Sequence, residues 1–504
     1  MSETEVFVVK ENKLEPRLVG GMNYWCSWSS QWALSKIQLA ETGQNVGYFE
    51  GDINARACIC EDTVFGEDGF AYQFPDVRGD LFLLMDDGWD VPLDGCGTLP
   101  LSAFGSVVPS GDRFPSFPGT PVQRLKGIND KLQALGWMGL GLWISPTMTG
   151  KEEDFRYEDH QEQHEAYWKE RVLWCKEAGV RYWKVDWGSF GHGDIVEYRR
   201  MISRIGKTHF PDLIIEQTTC SAPYNGVPDE GTTRYKDYDF TISLAKQEVE
   251  FCDVYRTYDV TDDMLSDTTT LDRLSWFLPF APCVMSCEDA LYTGAALGCA
   301  LGVMRSHYGK DYLRMNRKLD EVNAAVKWQR FAPSFAGGQW NASEDLLSDT
   351  MYFGPLDTWN DVIRNREVTQ QAPAVMARNT QLPTVVRQEK MPFVIASRNP
   401  TGVYSLAAIK RRQFLFDTQA PAVTCEVGDA PRIGIFGDFE EIKFLFDRPP
   451  VKMFAQNLIR GEEKELDIYA YLTEKTVTIS RELLENMNAV ADESDNAVML
   501  RFEF

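Results

Sequence analysis

LLMDDGWD (83–90) and YWKVDWG (182–188) decide the fold of this chain. Each runs a strand-like apolar stretch straight into aspartate, and a tryptophan follows the acid. A strand buried on both faces of a parallel sheet reads as a continuous apolar run. A carboxylate placed where such a run stops therefore stands at the strand's C-terminal edge, the face on which βα-barrel enzymes keep their chemistry. Acids beside indoles suit a sugar. The indole face stacks on the apolar face of a pyranose, and carboxylates bind hydroxyls or attack the anomeric carbon.

The same alternation recurs outward from these two strings. Strands are predicted over 21–26, 80–86, 138–144, 180–186, 212–217, 252–258, 282–287 and 301–307, with helical periodicity over 122–136, 164–179 and 312–331. Eight strands alternating with helices predict a (β/α)8 TIM barrel over residues 1–335. A doubly wound sheet needs no eighth strand and usually carries a glycine-rich phosphate loop, and none follows the first strand here. After 335 the segments FVIASR, VYSLAAI, RIGIFG, EIKFLF and LDIYAYL, with one helix near 481–488, predict a C-terminal antiparallel β-sandwich over 336–504. The Gly- and Asn-rich stretch 336–345 is the expected linker, and the Gly-, Pro- and Ser-rich stretch 91–119 is an expected pocket wall.

Composition excludes several classes. A chain of 504 residues predicts two or three domains, and its net charge of -24 argues against nucleic acid or an anionic membrane as partner. No apolar run reaches the roughly 18 residues of a membrane span. MSETEVFVVKENKLEPR is charged from the start, so no signal peptide is expected. Eleven cysteines make an odd count without a CxxC pair, and Cys252, Cys283 and Cys299 sit in apolar runs, which reads as a reduced, cytoplasmic protein. Oligomeric state stays open, a homo-oligomer included.

The candidate acids at strand ends are Asp86, Asp87, Asp186, Glu216 and Asp259, with Asp262 and Asp263 close behind. Retaining glycoside hydrolysis needs two carboxyls about 5–5.5 Å apart, one ionised as nucleophile and one protonated as general acid. Asp186 suits the nucleophile, because Lys184 points to the same side of the strand and would keep it charged. Asp259 suits the acid/base, with Arg256 just before it and Tyr255, Tyr258 and Val260 to raise its pKa. A single aspartate after a strand is ordinarily an N-cap or turn residue, and Asp263 reads that way. Recurrence on three strands, with tryptophans attached, lifts the set above that. His160 and His164 read as a solvated helix face rather than a metal pair, and Trp137, Trp143 and Trp183 as barrel core.

On these motifs the chain resembles the retaining α-galactosidase and α-N-acetylgalactosaminidase clan, glycoside hydrolase families 27 and 36. GMNYWCSW is similar to the clan's first-strand glycine–tryptophan motif, MDDGWD to its DDGW, GLWISPTM to its third-strand GLW-x-x-P-x-M, WKVDW to the KxD that carries the nucleophile, and YRTYDV to the arginine–aspartate segment of the acid/base. The resemblance implies Asp186 as nucleophile and Asp259 as acid/base, with Asp262 or Asp263 left open because the arginine-to-acid spacing is one residue short. It implies that Asp86 and Asp87 bind O4 and O6, that Lys184 binds the O3/O4 side, that Arg256 sits beside both acids, and that Trp28 and Trp89 are walls. The fifth-strand segment EQTTCSAPYNG fits neither family cleanly. Its small Cys220-Ser221-Ala222 leaves room for a 2-acetamido group.

The expected function is therefore exo-hydrolysis of a terminal α-galactoside or α-N-acetylgalactosaminide in an oligosaccharide or glycoconjugate, without metal or organic cofactor. A transglycosylase of the raffinose-synthase type and a non-catalytic sugar-binding protein are the rivals.

Overall fold

The computed structural model describes residues 14–42, 54–91, 105–146, 157–186, 195–218, 244–257, 267–309, 314–352, 367–412, 417–487 and 490–504. Eight parallel strands close a barrel: β1 (Tyr24–Cys26), β2 (Phe82–Met85), β3 (Gly139–Ile144), β4 (Tyr182–Val185), β5 (Ile214–Gln217), β6 (Val254–Arg256), β7 (Val284–Glu288) and β8 (Ala300–Val303). Every predicted strand is present, and β8 pairs back onto β1 through Tyr24 and Gly302. The strands are short and buried almost throughout, so they read as unbroken apolar runs in sequence.

The connecting helices carry local start and stop signals. Pro121–Ala134 opens on a reciprocal cap, in which Thr120 Oγ1 accepts from Gln123 N–H at 3.3 Å and Gln123 Oε1 accepts from Thr120 N–H at 2.9 Å. Gln161–Ala178 stops at Gly179, whose φ of 74° is the left-handed conformation that glycine adopts without penalty. Below the barrel, Arg17–Leu18 pairs with Phe335–Ala336, and Ala336 joins Val254, Val284 and Ala300 in a small apolar plug.

The C-terminal part packs an eight-stranded sheet against a five-stranded one around a shared apolar core that includes Val394, Leu406, Val423, Ile442, Phe444 and Leu500. The sandwich is mostly antiparallel, but three pairings run parallel: Val375–Arg378 with Phe393–Arg398, Tyr404–Ile409 with Arg432–Phe436, and Ala422–Glu426 with Glu441–Leu445. LDIYAYL departs from the strand expected of it. Asp467 Oδ1 accepts from Tyr469 N–H at 3.1 Å and turns Ile468–Ala470 into a 3-10 helix, leaving Tyr469 largely exposed. The expected linker also holds structure, since Trp340–Ala342 is the edge strand of the larger sheet.

The sandwich meets the barrel through helices Leu291–Leu297 and Asp320–Gln329. Trp328 is fully buried there and donates its indole N–H to Ser405 Oγ at 3.0 Å. Arg378, also buried, donates to the carbonyls of Leu297 (2.9 Å), Phe335 (2.9 Å) and Gly337 (3.1 Å). Among the described residues no helix is long and apolar enough to cross a membrane.

Candidate active site

Side chains alternate across a strand with period two, so each barrel strand sends one set inward and one set to the helices. On β4, Trp183 turns outward to Cys175 Sγ on the neighbouring helix, at 3.4 Å, while Tyr182 and Lys184 turn inward. The inward set is unusually polar. Tyr182 Oη donates to Glu216 at 2.8 Å, and Tyr24 Oη lies 3.2 Å from Glu216 and 2.9 Å from Glu288. Gly302 of β8 leaves room for the Tyr24 phenol, because a Cβ there would lie 2.7 Å from its hydroxyl.

Above this layer the charges form one chain of contacts. Lys184 Nζ lies 3.0 Å from Asp86 Oδ2 and 3.0 Å from Glu288 Oε1. Arg256 continues it, with Nη1 2.9 Å from Glu288 Oε2, Nε 3.3 Å from Glu216 Oε1 and Nη2 2.8 Å from Asp186 Oδ1. Trp143 Nε1–H donates to the other oxygen of Asp186 at 3.1 Å. Asp186 itself stands just past the end of β4, its N–H bonded to Ile144 O at 2.9 Å and its side chain 15% exposed. Asp86 receives the Cys26 thiol on Oδ2 (2.9 Å) and the Asp87 N–H on Oδ1 (2.8 Å). Asp87 is held by Arg56 Nε at 2.7 Å, and its buried Oδ1 has no hydrogen-bond partner among the described residues.

Burial and charge set the protonation of this cluster. Burial works against the Lys184 ammonium, but Asp86, Cys26 and Glu288 outweigh it and hold its pKa well above the ordinary lysine value. Burial pushes Glu216 up to about 7 against the pull of Arg256. Asp87 is raised by burial, opposed by Arg56 and assisted by the neighbouring Asp86 and Asp186 carboxylates.

Asp86, Asp87, Lys184, Asp186 and Arg256 are thus brought together at one end of the barrel, as expected from their strand-end positions. Asp259, Asp262, Asp263, Cys220 and Ser221 lie outside the described residues, as does most of the expected wall at 91–119. Three expectations are corrected. Lys184 serves Asp86 and Glu288, whereas the cation on Asp186 among the described residues is Arg256, because Lys184 reaches across the barrel interior rather than along its own strand. Trp89 is not an open wall: it is fully buried and donates its indole N–H to Trp143 O at 2.9 Å. His164 is no solvated residue either; it is 2% exposed, with Nδ1 3.0 Å from Tyr198 Oη. Trp28 opens helix Trp28–Thr42, half-buried and edge-on to Trp32.

Four contributors had escaped the sequence reading: Glu288, Arg56, Tyr24 and the Asp186 donor Trp143. Only Glu288 left a signal. VMSCED (284–289) repeats the apolar run into paired acids that marks LLMDD.

No protein-family model and no curated protein matches the chain. Among solved structures it is similar to an α-amylase of Anoxybacillus described as a glycosyl hydrolase (8% identity, covering 90% of this chain and 91% of that one, TM-score 0.40). It is also similar to an α-amylase of Geobacillus thermoleovorans (10% identity, 83% and 88% covered, TM-score 0.35) and an α-galactosidase of Thermus thermophilus (13% identity, 70% and 67% covered, TM-score 0.31). The barrel and sandwich are defined by their own strand order.

Proposed function

We propose that this protein is a retaining exo-α-glycosidase that removes a terminal galactose-type sugar by double displacement. Asp186 attacks the anomeric carbon while Asp259 gives its proton to the departing glycosidic oxygen, leaving a glycosyl ester on Asp186. Asp259 then takes a proton from water, whose oxygen attacks the same carbon and releases Asp186, with net retention. The observation that carries the reading is the environment of Asp186: a carboxylate at the C-terminal end of β4, gripped by Arg256 on one oxygen and Trp143 on the other. Both donors favour the ionised form that a nucleophile needs.

Asp86, Asp87 and Lys184 are assigned to the sugar hydroxyls, Trp28 to the surrounding wall, and Cys220 and Ser221 to the space beside C2. Asp87 Oδ1, unpartnered among the described residues, is an acceptor of the kind a hydroxyl would satisfy. Among the described residues of the site, the acids Asp86, Asp87, Asp186, Glu216 and Glu288 outnumber the cations Arg56, Lys184 and Arg256. That balance suits a neutral substrate whose transition state carries positive charge.

The test is turnover of 4-nitrophenyl α-galactoside, α-N-acetylgalactosaminide, β-L-arabinopyranoside and α-glucoside. The reading expects the galacto-configured substrates to lead. A glucoside preference would remove the role given to Asp86 and Asp87, and a galactoside preference without acetamido activity would remove that given to Ser221.

A further inference from the structure

A second arginine acts on the main chain of Asp186. Arg199 comes from helix Ile195–His209, which follows β4, and is 1% exposed. Its Nη1 donates to Val185 O at 3.1 Å and to Gln217 Oε1 at 2.8 Å, and its Nη2 donates to Asp186 O. Its Nε lies 3.7 Å from the fully buried carboxylate of Glu248. Gln217, at the end of β5, returns Nε2 to Arg199 O at 3.4 Å and to Ser203 Oγ at 3.1 Å.

The Asp186 N–H is bonded to Ile144 O on β3, so its peptide environment is fixed from both sides: by a strand at the N–H and by Arg199 at the carbonyl. Satisfying two carbonyls does not require a charge. A buried guanidinium carries a desolvation cost of several kcal/mol that a neutral amide would avoid. What arginine adds is a rigid planar fork that seizes two successive carbonyls at once, and a permanent positive charge at the Asp186 main chain.

We propose that Arg199 is a positioning residue for Asp186, setting the angle at which its carboxylate leaves the end of β4. The inference rests on the reading of Asp186 as nucleophile. Arg256 fixes the carboxylate and Arg199 the backbone that bears it, so neither χ rotation nor peptide tilt is free to move the attacking oxygen. Misplacement by about 1 Å is enough to cost on the order of 100-fold in rate.

The experiment is steady-state kinetics of Arg199→Gln and Arg199→Lys on the best substrate of the α-glycoside panel, with near-ultraviolet circular dichroism to confirm native packing. Arg199→Gln is expected to lower kcat roughly 10- to 100-fold with KM within about twofold. It should also move the acid limb of kcat/KM upward, while Arg256 and Asp87, which face Asp186 among the described residues, and Asp259, which the reading places opposite it, are unchanged. Arg199→Lys, which keeps the charge and loses the fork, should restore the acid limb but not kcat. A folded Arg199→Gln with wild-type kcat, or with its whole loss in KM, overturns the inference. So does failure of both variants to fold, since Arg199 would then serve the fold alone. Wild-type protein silent on every α-glycoside overturns the glycosidase reading and this inference with it; an active wild type with an indifferent Arg199→Gln overturns only the latter.

Discussion

Arg256 and Asp186 meet across two strand positions, with Nη2 2.8 Å from Oδ1, although they stand 70 positions apart in the chain. The same guanidinium also holds Glu288 and faces Glu216, so a single side chain from β6 ties together acids from β4, β5 and β7. Its charge is shared among three carboxyls. Burial raises Glu216 to about 7, so it gives up its claim by taking a proton near neutral pH.

Arg256→Lys should therefore alter ionisation before it alters shape. A single ammonium cannot span three carboxyls, and the geometry of the bidentate fork is lost. The acid limb of the pH–rate profile is expected to move up by roughly one to three units, the range by which an adjacent arginine depresses an aspartate. An unmoved limb would show that Arg256 does not set the ionisation of Asp186.

Asp186→Asn removes the nucleophile while keeping the shape and the Trp143 contact region. Turnover should fall by at least about 10³-fold, while galactose still binds by titration calorimetry. Loss of less than tenfold would exclude Asp186 as the attacking group.

Arg56→Gln tests the hydroxyl-binding role of Asp87. Without its cation the buried Asp87 carboxyl is pushed further up, in the direction burial already takes it. KM for the galactoside is expected to rise about tenfold or more at neutral pH, in line with the roughly 1.5–3 kcal/mol of a charged hydrogen bond. Equal KM values for the variant and wild type would argue that Asp87 does not touch the sugar.

Glu248 predicts a pH dependence of stability. Burial pushes it up to about 7, with Arg199 pulling the other way. Between the ordinary glutamate value near 4.3 and about 7, the folded protein holds a proton that the unfolded chain has lost. Its contribution is therefore full below the lower value and is lost as pH rises through the upper one, on the order of 3 kcal/mol in all. Urea denaturation from pH 4.5 to 8 should show this decline, and Glu248→Gln should flatten it. A decline of equal size in the variant would place its origin elsewhere.

Gly434→Ala probes the seam between barrel and sandwich. A Cβ at this position would lie 2.8 Å from the buried Trp328 ring, and an indole held by Ser405 has little room to retreat. The melting temperature should drop, with a loss of about 1–3 kcal/mol from overpacking. Trp328→Ala should cost about 3–5 kcal/mol. An unchanged melting temperature in both would mean that the seam contributes little to stability.

The strand ends were legible because the signal is local. An apolar run that stops at Asp86 or Asp186 announces burial on both faces and exposure at the edge, whatever lies across the barrel. Glu288 carries the same signal, but the predicted strand stops one residue before it, whereas the observed strand runs Val284–Glu288. LDIYAYL misled for a local reason too, since its alternation suits a strand while Asp467 offers the backbone a competing turn.

By itself, then, the sequence determined the eight-stranded barrel, the β-rich third that follows and the acids at the strand tips, because burial periodicity is written into adjacent residues. Only the tertiary structure decided that Lys184 serves Asp86 and Glu288, that Arg256 takes Asp186, and that Arg199 holds the backbone beneath it. Those pairings depend on which side chains face one another once strands and helices are packed into the barrel, and they join residues from 13 to 104 positions apart that no local pattern relates.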